Sequence, residues 1–516
     1  MQRIVKYIII STLLVLFLRQ YAGAESWEQV VTKGFGDPSN DYAWSMAVFK
    51  GQLYVGTLNF LKGGEIWRSK TGDSGDWQKV YDSPSSFFNN IGVRNLYVDG
   101  DDVMYACAVN GNGAEILRTT NGQRWTTVEN LQTGENAAFR CMVRFGDYLY
   151  AGAGSNEAQI HRSRNGLYWQ KVRTSPSFTS TRVPDTNTGG KVVNNTMIGE
   201  LAVFNDQLYA FTWTREVKYR DIAEHMLGLD LRLSDRRTTA SAGAFEVWRS
   251  KNGVNWEKVA GEGDAYGNGM GFSLLDPDAG LDNDVVTSTT VYHDQLYVGT
   301  LNAHADTAIW RTSDGTTWTK VLDFFELGER ANYYVWRMIP FQDKLFIGTM
   351  NVGPMQGNPS ITGAQIWASE SGDPGTFYNL VHNGFDGETW SDGSRIMIPK
   401  NIGIRSFGIL NDTLYVGTAT VISTPIPAIS TPIPESRPTG ASGRIEIAGF
   451  DIGCEIWRMI PGTGLAGLFP AFNLKIQQPK KEEEETIMSW SQTASYKTVL
   501  LWLPQMDEQI QHYFLF

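Results

Sequence analysis

Three cysteines in 516 residues are too few to build a disulfide scaffold. Cys107 and Cys141 fall inside apolar, strand-like runs, where a thiol serves as a small buried apolar group. They occupy neighbouring repeats, so a bridge between them is the other option. Histidine is also scarce, at six residues, and His161, His293, His304 and the rest show no metal-ligand spacing. No Gly-x-Ser-x-Gly motif or Cys/His pairing supports a hydrolase triad. Positive charge is in deficit: 44 Lys and Arg against 55 Asp and Glu give a net charge of −11. That balance argues against nucleic acid and anionic membrane as partners. The mature chain has no apolar stretch expected to cross a membrane as a helix.

What the chain does have begins with an export signature. Arg3 and Lys6 precede an apolar run from Ile8 to Leu18, and Ala22-Gly23-Ala24 supplies a small-residue cleavage site. The run is shorter than the ~20 residues of a spanning helix. A cleavable signal over 1–24 and a secreted or cell-surface location follow as expectations, with an uncleaved anchor as the alternative.

From there the chain repeats one pattern seven times. The clearest copy is Leu53-Tyr54-Val55-Gly56-Thr57, then Glu65-Ile66-Trp67-Arg68-Ser69, then Trp77-Gln78-Lys79-Val80. Later copies centre on Tyr105/Leu117/Trp125, Tyr150/His161/Trp169, Tyr209/Trp248/Trp256, Tyr297/Trp310/Trp318, Phe346/Trp367/Phe377 and Tyr415/Trp457. A period of roughly 45–50 residues marks a propeller array. Each unit supplies four short strands, A to D; in the first unit Trp44 to Phe49 is strand A. Hairpin turns such as Phe204-Asn205-Asp206-Gln207 separate them. The last unit stops after Trp457-Arg458, and the missing fourth strand is offered by Trp27-Glu28-Gln29-Val30. The expectation is therefore all-β: a seven-bladed β-propeller over 25–462 with four-stranded blades. Residues 26–30 would close the last blade, removing an open edge. The repeated Trp and Tyr residues are expected to pack between blades.

The C–D turns read Thr119-Thr120-Asn121-Gly122-Gln123-Arg124-Trp125, with counterparts at Ser163–Trp169, Ser250–Trp256 and Thr312–Trp318. This resembles the Asp-box, or bacterial neuraminidase repeat, Ser/Thr-x-Asp-x-Gly-x-x-Trp, each copy being one residue shorter. Ser69–Trp77 and Ser369–Phe377 are expanded versions. The resemblance implies a sialidase-like propeller over about 26–460. Sialidases also carry an arginine triad, a Tyr/Glu pair, an acid/base Asp and a Phe/Tyr-Arg-Ile/Leu-Pro motif before the first blade. Nothing before Trp44 matches that motif, and Trp336-Arg337-Met338-Ile339-Pro340 has an extra residue and lies in the sixth unit. No catalytic residue is carried over.

Loop lengths single out one face. Long insertions (214–242, 261–284, 352–362, 382–401 and 420–453) all fall in B–C or D–A connections, which share a face. Strand A enters from there carrying Trp44, Arg94, Arg140, Glu200, Arg337 and Arg405, candidates for binding carboxylate or sulfate groups. The alternative is separate structural ion pairs. Strand B ends there with Asn59, Asn110, Asn302 and Asn351, suited to sugar hydroxyls or to capping strand ends. Trp213 is a candidate stacking platform. Asp276, Asp278, Asp282 and Asp284 form an oxygen-rich run that could hold calcium. They lack the glycine placement and terminal Glu of an EF-hand loop, and a solvated loop is the other reading. Otherwise no cofactor is expected.

The Pro-rich repeat at 423–434 and the tail at 463–516 stand outside the pattern. The tail is expected to be a poorly ordered appendage, or else a surface-association segment. The combined expectation is a monomer binding a glycan or an extracellular protein without catalysis. A glycoside hydrolase or lyase acting on anionic glycans is the alternative, and a structural spacer a third. Glu200 would serve as general acid/base only with a second carboxylate ~5–9.5 Å away.

Overall fold

The structure, a computed structural model, describes residues 26–83, 90–110, 113–128, 131, 136–155, 157–178, 181–182, 192–193, 195, 197–213, 245–260, 285–301, 307–324, 326–329, 332–351, 363–385, 389–391, 397–420 and 453–460. The chain divides into two units, Glu25–Ile460 and a second made of Met1–Ala24 with Pro461–Phe516. The export segment, the tail, Asn302, the acidic loop 276–284, the Pro-rich repeat and most of the long insertions lie outside the described residues.

Among the described residues the regular structure is all strand apart from one 3-10 turn at Lys33–Gly36. Tyr42–Phe49 pairs antiparallel with Gln52–Leu58, which pairs with Glu65–Ser69 and then Gln78–Asp82. Gly92–Asp99, Val103–Val109, Ile116–Thr119 and Thr126–Thr127 repeat that order. So do Asn136–Phe145, Tyr148–Ser155, Gln159–Ser163 and Gln170–Lys171. Met197–Phe204, Gln207–Trp213, Val247–Ser250 and Glu257–Ala260 follow. Next come Val285–Tyr292, Gln295–Leu301, Ala308–Thr312 and Thr319–Asp323. Asn332–Phe341, Lys344–Asn351, Ile366–Ser369 and Tyr378–Val381 form another run. The last is Asn401–Leu410, Thr413–Thr420 and Ile456–Ile460, whose outer partner is Ser26–Val31, with Trp27 opposite Met459.

Single bridges link these runs near the start of each first strand. Leu58 pairs with Gly92, Val109 with Ala138, Gly154 with Met197, and Trp213 with Val285. Leu301 pairs with Tyr334, Met350 with Gly403, and Ala419 returns to Tyr42. The sheet is closed and propeller-like, leaving no inner edge to recruit another strand. Two boundaries differ from expectation. The first strand begins at Tyr42 rather than Trp44, and Trp77 lies just outside the strand Gln78–Asp82. Cys107, Cys141 and Cys454 are buried free thiols, so no Cys107–Cys141 bridge forms.

The turn glycines that recur from repeat to repeat have a packing reason. Gly122 holds a φ of +70°, and a Cβ there would overlap the Tyr54 hydroxyl of the preceding run. The same contact joins Tyr105 to Gly166, Tyr150 to Gly253, Tyr209 to Gly315, Tyr297 to Gly372, and Tyr415 to Gly72 across the ring closure. A strand-C arginine completes this latch where Arg311 Nη1 donates to the Tyr297 hydroxyl at 3.2 Å and to the Gly372 carbonyl at 3.1 Å. The sixth repeat has Phe346 and Ala368 instead of Tyr and Arg. Its successor has no C–D turn, because Ser26–Val31 supplies the fourth strand from the other end of the chain. The latch residues are missing where their target is missing.

The latch separates two otherwise similar glycines. Gly51 also has a φ of +70° but nothing within 4 Å of an added Cβ. Gly51→Ala is expected to destabilise by about 1–2 kcal/mol, the left-handed backbone term alone. Gly122→Ala should add an overpacking cost of about 1–3 kcal/mol. Urea unfolding compares the two, and equal losses would remove the latch as an explanation.

Candidate functional site

Every first strand carries a β-bulge at one repeated place. The register skips between Ala43 and Ser45, Val93 and Asn95, Phe139 and Cys141, and Ile198 and Glu200. It skips again between Val286 and Ser288, Val335 and Arg337, and Ile404 and Ser406. A bulge leaves one residue without a cross-strand partner and re-aims its side chain. The inserted residues are Trp44, Arg94, Arg140, Gly199, Thr287, Trp336 and Arg405. Four of the six strand-A candidates therefore share one position, whereas Glu200 and Arg337 stand one residue further on.

That next position normally builds the ring. Ser45 Oγ donates to the Val93 carbonyl at 2.8 Å, Asn95 Nδ2 to the Arg140 carbonyl at 3.3 Å, and Ser406 Oγ to the Ala43 carbonyl at 2.6 Å. Each bond joins one inner strand to the next. Glu200 and Arg337 depart from this use. Arg337 Nη1 donates to Glu200 Oε1 at 3.2 Å, joining strands with the strand Val285–Tyr292 between them.

The inserted residues converge with aromatic rings. Arg94 and Arg405 place their Cζ atoms 5.4 and 5.5 Å from the Trp44 ring centre. Arg405 also lies 4.5 Å from Trp336, and Arg140 lies 4.0 Å from Trp213. Tyr42 packs against both Trp44 and Trp336, and Tyr334 against Trp336. These aromatics share one buried cluster with Ile91, Val109, Met197, Val285 and Ile402, contributed from around the closed sheet.

Charge in this cluster is under-compensated. Arg94 is 2% exposed and Arg405 5%, yet Nε and Nη1 of both find no hydrogen-bond partner among the described residues. Arg140 Nε and the Trp44 indole nitrogen are likewise unsatisfied. Burial lowers the Arg405 guanidinium to about 9, offset in part by Tyr42. Burial lowers Arg140 to about 10, offset in part by Glu200. Both stay charged at neutral pH. Burial raises the Glu200 carboxyl to about 7, against the pull of Arg337 and Arg140. The charged groups that act on the Glu200 carboxyl are these two arginines. Four arginines against one glutamate leave a surplus of donors with no acceptors, which is the chemistry of an oxyanion site.

Of the strand-B asparagines, the described Asn59, Asn110 and Asn351 are engaged elsewhere. Asn59 Nδ2 donates to Asn40 Oδ1 at 3.0 Å, and Asn59 Oδ1 accepts from the Leu61 and Lys62 amides. Asn110 donates to Asn90 and Asn351 to Asn332. These side chains tie strand ends to a buried network that also takes in Glu65, Trp67 and Lys79. Trp213 is 4% exposed and serves as a platform for Arg140 rather than as an open stacking surface.

Trp336, Tyr42 and Tyr334 were missed as candidates. The sequence does hold the signal that locates Trp336. An asparagine precedes every inserted residue by four: Asn40, Asn90, Asn136, Asn195, Asn283, Asn332 and Asn401. Aligning the copies on it puts Trp336 beside Trp44 and moves Glu200 and Arg337 to the following position.

Residues 71–220 match the family described as the DUF6242 beta propeller domain. With the closed sheet, that match makes the chain a β-propeller. Among curated proteins none matches. Among solved structures, the chain is similar to a streptogramin B lyase at 8% identity and a TM-score of 0.45, covering 85% of this chain and 98% of that one. It is similar to an ulvan lyase of a new polysaccharide lyase family at 11% and 0.40, covering 77% and 92%. It is also similar to Sqt1 of Saccharomyces cerevisiae at 9% and 0.41, covering 85% and 99%. Likenesses of this size say nothing about what this chain binds.

An uncompensated buried guanidinium has a measurable signature. Replacing even paired buried charges by apolar groups of similar volume is often neutral or stabilising by about 1–4 kcal/mol, and an unanswered charge has less to lose. Losing a desolvated cation–π contact takes back up to about 2 kcal/mol. Arg94→Met and Arg405→Met are therefore each expected to raise the urea midpoint. A loss above about 1 kcal/mol in both would show that the charges are compensated within the fold.

Proposed function

We propose that the chain is a secreted, monomeric, seven-bladed β-propeller of the Asp-box, sialidase-like type. It binds, without catalysis, the acidic group of a carbohydrate at the channel mouth on the long-loop face. The observation that carries the binding reading is the pair of buried guanidinium edges of Arg94 and Arg405 near Trp44, unpartnered among the described residues. Carboxylate and sulfate present the acceptors these edges lack. An extracellular protein presenting a carboxylate is the other partner such donors fit.

The blade count is supported by the order of strand pairings, with Ser26–Val31 as the closing strand. The Asp-box reading is supported by turn chemistry. Thr119 Oγ1 accepts from the Gly122 amide at 2.9 Å while Asn121 Oδ1 accepts from the Gln123 and Arg124 amides. Thr312, Asp314 and Gly315 repeat it. Export rests on the signal-like sequence over 1–24.

A hydrolase or lyase acting on anionic glycans is the second reading. The observation favouring it is Glu200, whose carboxyl is pushed to about 7 by burial, where a carboxyl can trade protons at neutral pH. It requires release of shortened products from an acidic polysaccharide, and a Glu200→Gln variant that releases none.

The binding reading is tested on an array of uronate-bearing, sulfated and neutral glycans, using the full chain and an Arg94→Met/Arg405→Met variant. Acidic glycans should bind the native chain. The variant should lose roughly 10- to 150-fold, the loss of one charge-assisted hydrogen bond or more. Equal binding of neutral glycans by both chains would sink the proposal.

A further inference from the structure

Among the described residues Glu200 is the acid that pairs with an arginine of the cationic cluster, and it stands where other repeats use the side chain to join inner strands. Its carboxylate meets Arg337 at 3.2 Å and bears on Arg140. Two of the four arginines therefore already face an internal anion, while Arg94 and Arg405 face none among the described residues. An acidic ligand reaching Arg140 and Arg337 must displace the Glu200 carboxylate or meet it as a like charge. Like charges that close in a desolvated site do not both stay ionised.

Resting on the acidic-ligand reading of the same mouth, we propose that Glu200 is a built-in competitor for the ligand anion. It makes acidic-carbohydrate binding coupled to uptake of one proton. With Glu200 ionised, Arg337 and Arg140 are engaged and the mouth offers only its Arg94–Trp44–Arg405 side. With Glu200 protonated, the carboxyl is neutral, the Arg337 pair loses its charge attraction, and both arginines turn to the ligand. Residues 197–204 thus set when the site is open to an anion as well as where it lies.

The groups around Glu200 allow this switch. Its own strand is flanked by Asn136–Phe145, which brings Arg140 and the buried Cys141 thiol. On the other side, Val285–Tyr292 brings Thr287 and Ser288, which carry no charge. Beyond that strand, Asn332–Phe341 brings Arg337 to the Glu200 carboxylate. The thiol is raised well above its ordinary range by burial and then by Glu200, so it stays neutral. Burial outweighs the two arginines and holds the carboxyl at about 7, within the range of ordinary pH change. The sign follows: affinity for an anion is highest below that value and falls as pH rises through it.

Calorimetric titration of the full chain with D-glucuronate and with glucose 6-sulfate tests this, with glucose as the neutral control. Both acids stay ionised throughout the range used. From pH 6 to pH 8 the affinity for each should fall roughly tenfold, as one coupled proton requires. At pH 8, buffers of different ionisation enthalpy should report about one proton taken up per ligand bound. Glu200→Gln should abolish the slope and hold the affinity near its pH 6 value. Arg337→Gln should keep a slope but move its midpoint upward, since the pull lowering the carboxyl is gone; it serves if the first variant does not fold. Binding that is flat with pH in the native chain, or a slope unchanged by Glu200→Gln, overturns the competitor role and leaves the binding site intact. Binding of neither acid at any pH overturns the acidic-ligand reading itself, and the competitor role with it.

Discussion

Closing a sheet on itself crowds its inner strands, and here each inner strand answers that crowding with one inserted residue. The bulge bends the strand away from its partner and leaves backbone groups beside it without a ladder bond. Ser45, Asn95 and Ser406 occupy the next position and bond to the adjacent inner strand, so the bulges themselves are fastened into the ring. The same distortion points the inserted side chains together. Ring construction and site construction are one event, because a residue placed at the bulge has nowhere else to go. That is why large side chains such as Trp44, Arg94, Trp336 and Arg405 can be held buried at equivalent places.

Burying arginines this way is unfavourable unless something answers their charge. The effective penalty for moving an ion into a protein interior is several kcal/mol. A cation–π contact returns about 2 kcal/mol at best when desolvated. Trp44 and Trp336 therefore cannot balance Arg94 and Arg405 alone, even though Arg405 touches both rings. Hydrogen bonds to Nε and Nη1 would supply the remainder, and the described residues leave those atoms without acceptors. The fold tolerates the deficit because the interlocking elsewhere is extensive, including the tyrosine–glycine latches and the Asn40–Glu65–Trp67 network. A local conflict held in place by a consistent scaffold is where function is expected.

Much of the architecture was legible because it is written locally and repeatedly. Strand runs, hairpin turns and the Ser/Thr-x-Asn/Asp-Gly corners depend on neighbours in sequence, and the borrowed strand at Trp27 could be found by noticing what the last copy lacked. The site was legible only in part. Arg94, Arg140 and Arg405 were picked from strand A as a group and share the bulge position, but a bulge shifts register by one residue without any compositional mark. Glu200 and Arg337 were therefore aligned with the wrong neighbours, and Trp336 was overlooked. Asn59, Asn110 and Asn351 looked like ligand groups because their true partners, Asn40, Asn90 and Asn332, lie about 20 residues away and meet them only through strand pairing. The Cys107–Cys141 alternative failed as well, since both thiols stay free and buried.

In a repeat protein, disagreement between copies is a guide to function only after topology has been subtracted. Phe346 and Ala368 break the pattern as sharply as Glu200 and Arg337 do. Their departure goes with the strand exchange, since the following repeat takes its fourth strand from Ser26–Val31 and, among the described residues, offers no turn glycine for a Tyr and Arg to grip. No such accounting exists for Glu200 and Arg337. Both of their strands have neighbours on each side, and the ring-building choice at that position is a small polar residue such as Ser45, Ser288 or Ser406. Cys141 departs from it without charge, whereas Glu200 and Arg337 place opposite charges there that find each other across an intervening strand, at the cost of the bonds those serines make and of burying a carboxylate. What the exchange gives the fold is one ion pair across the ring, and this departure from the repeat is the one that strand order leaves unexplained.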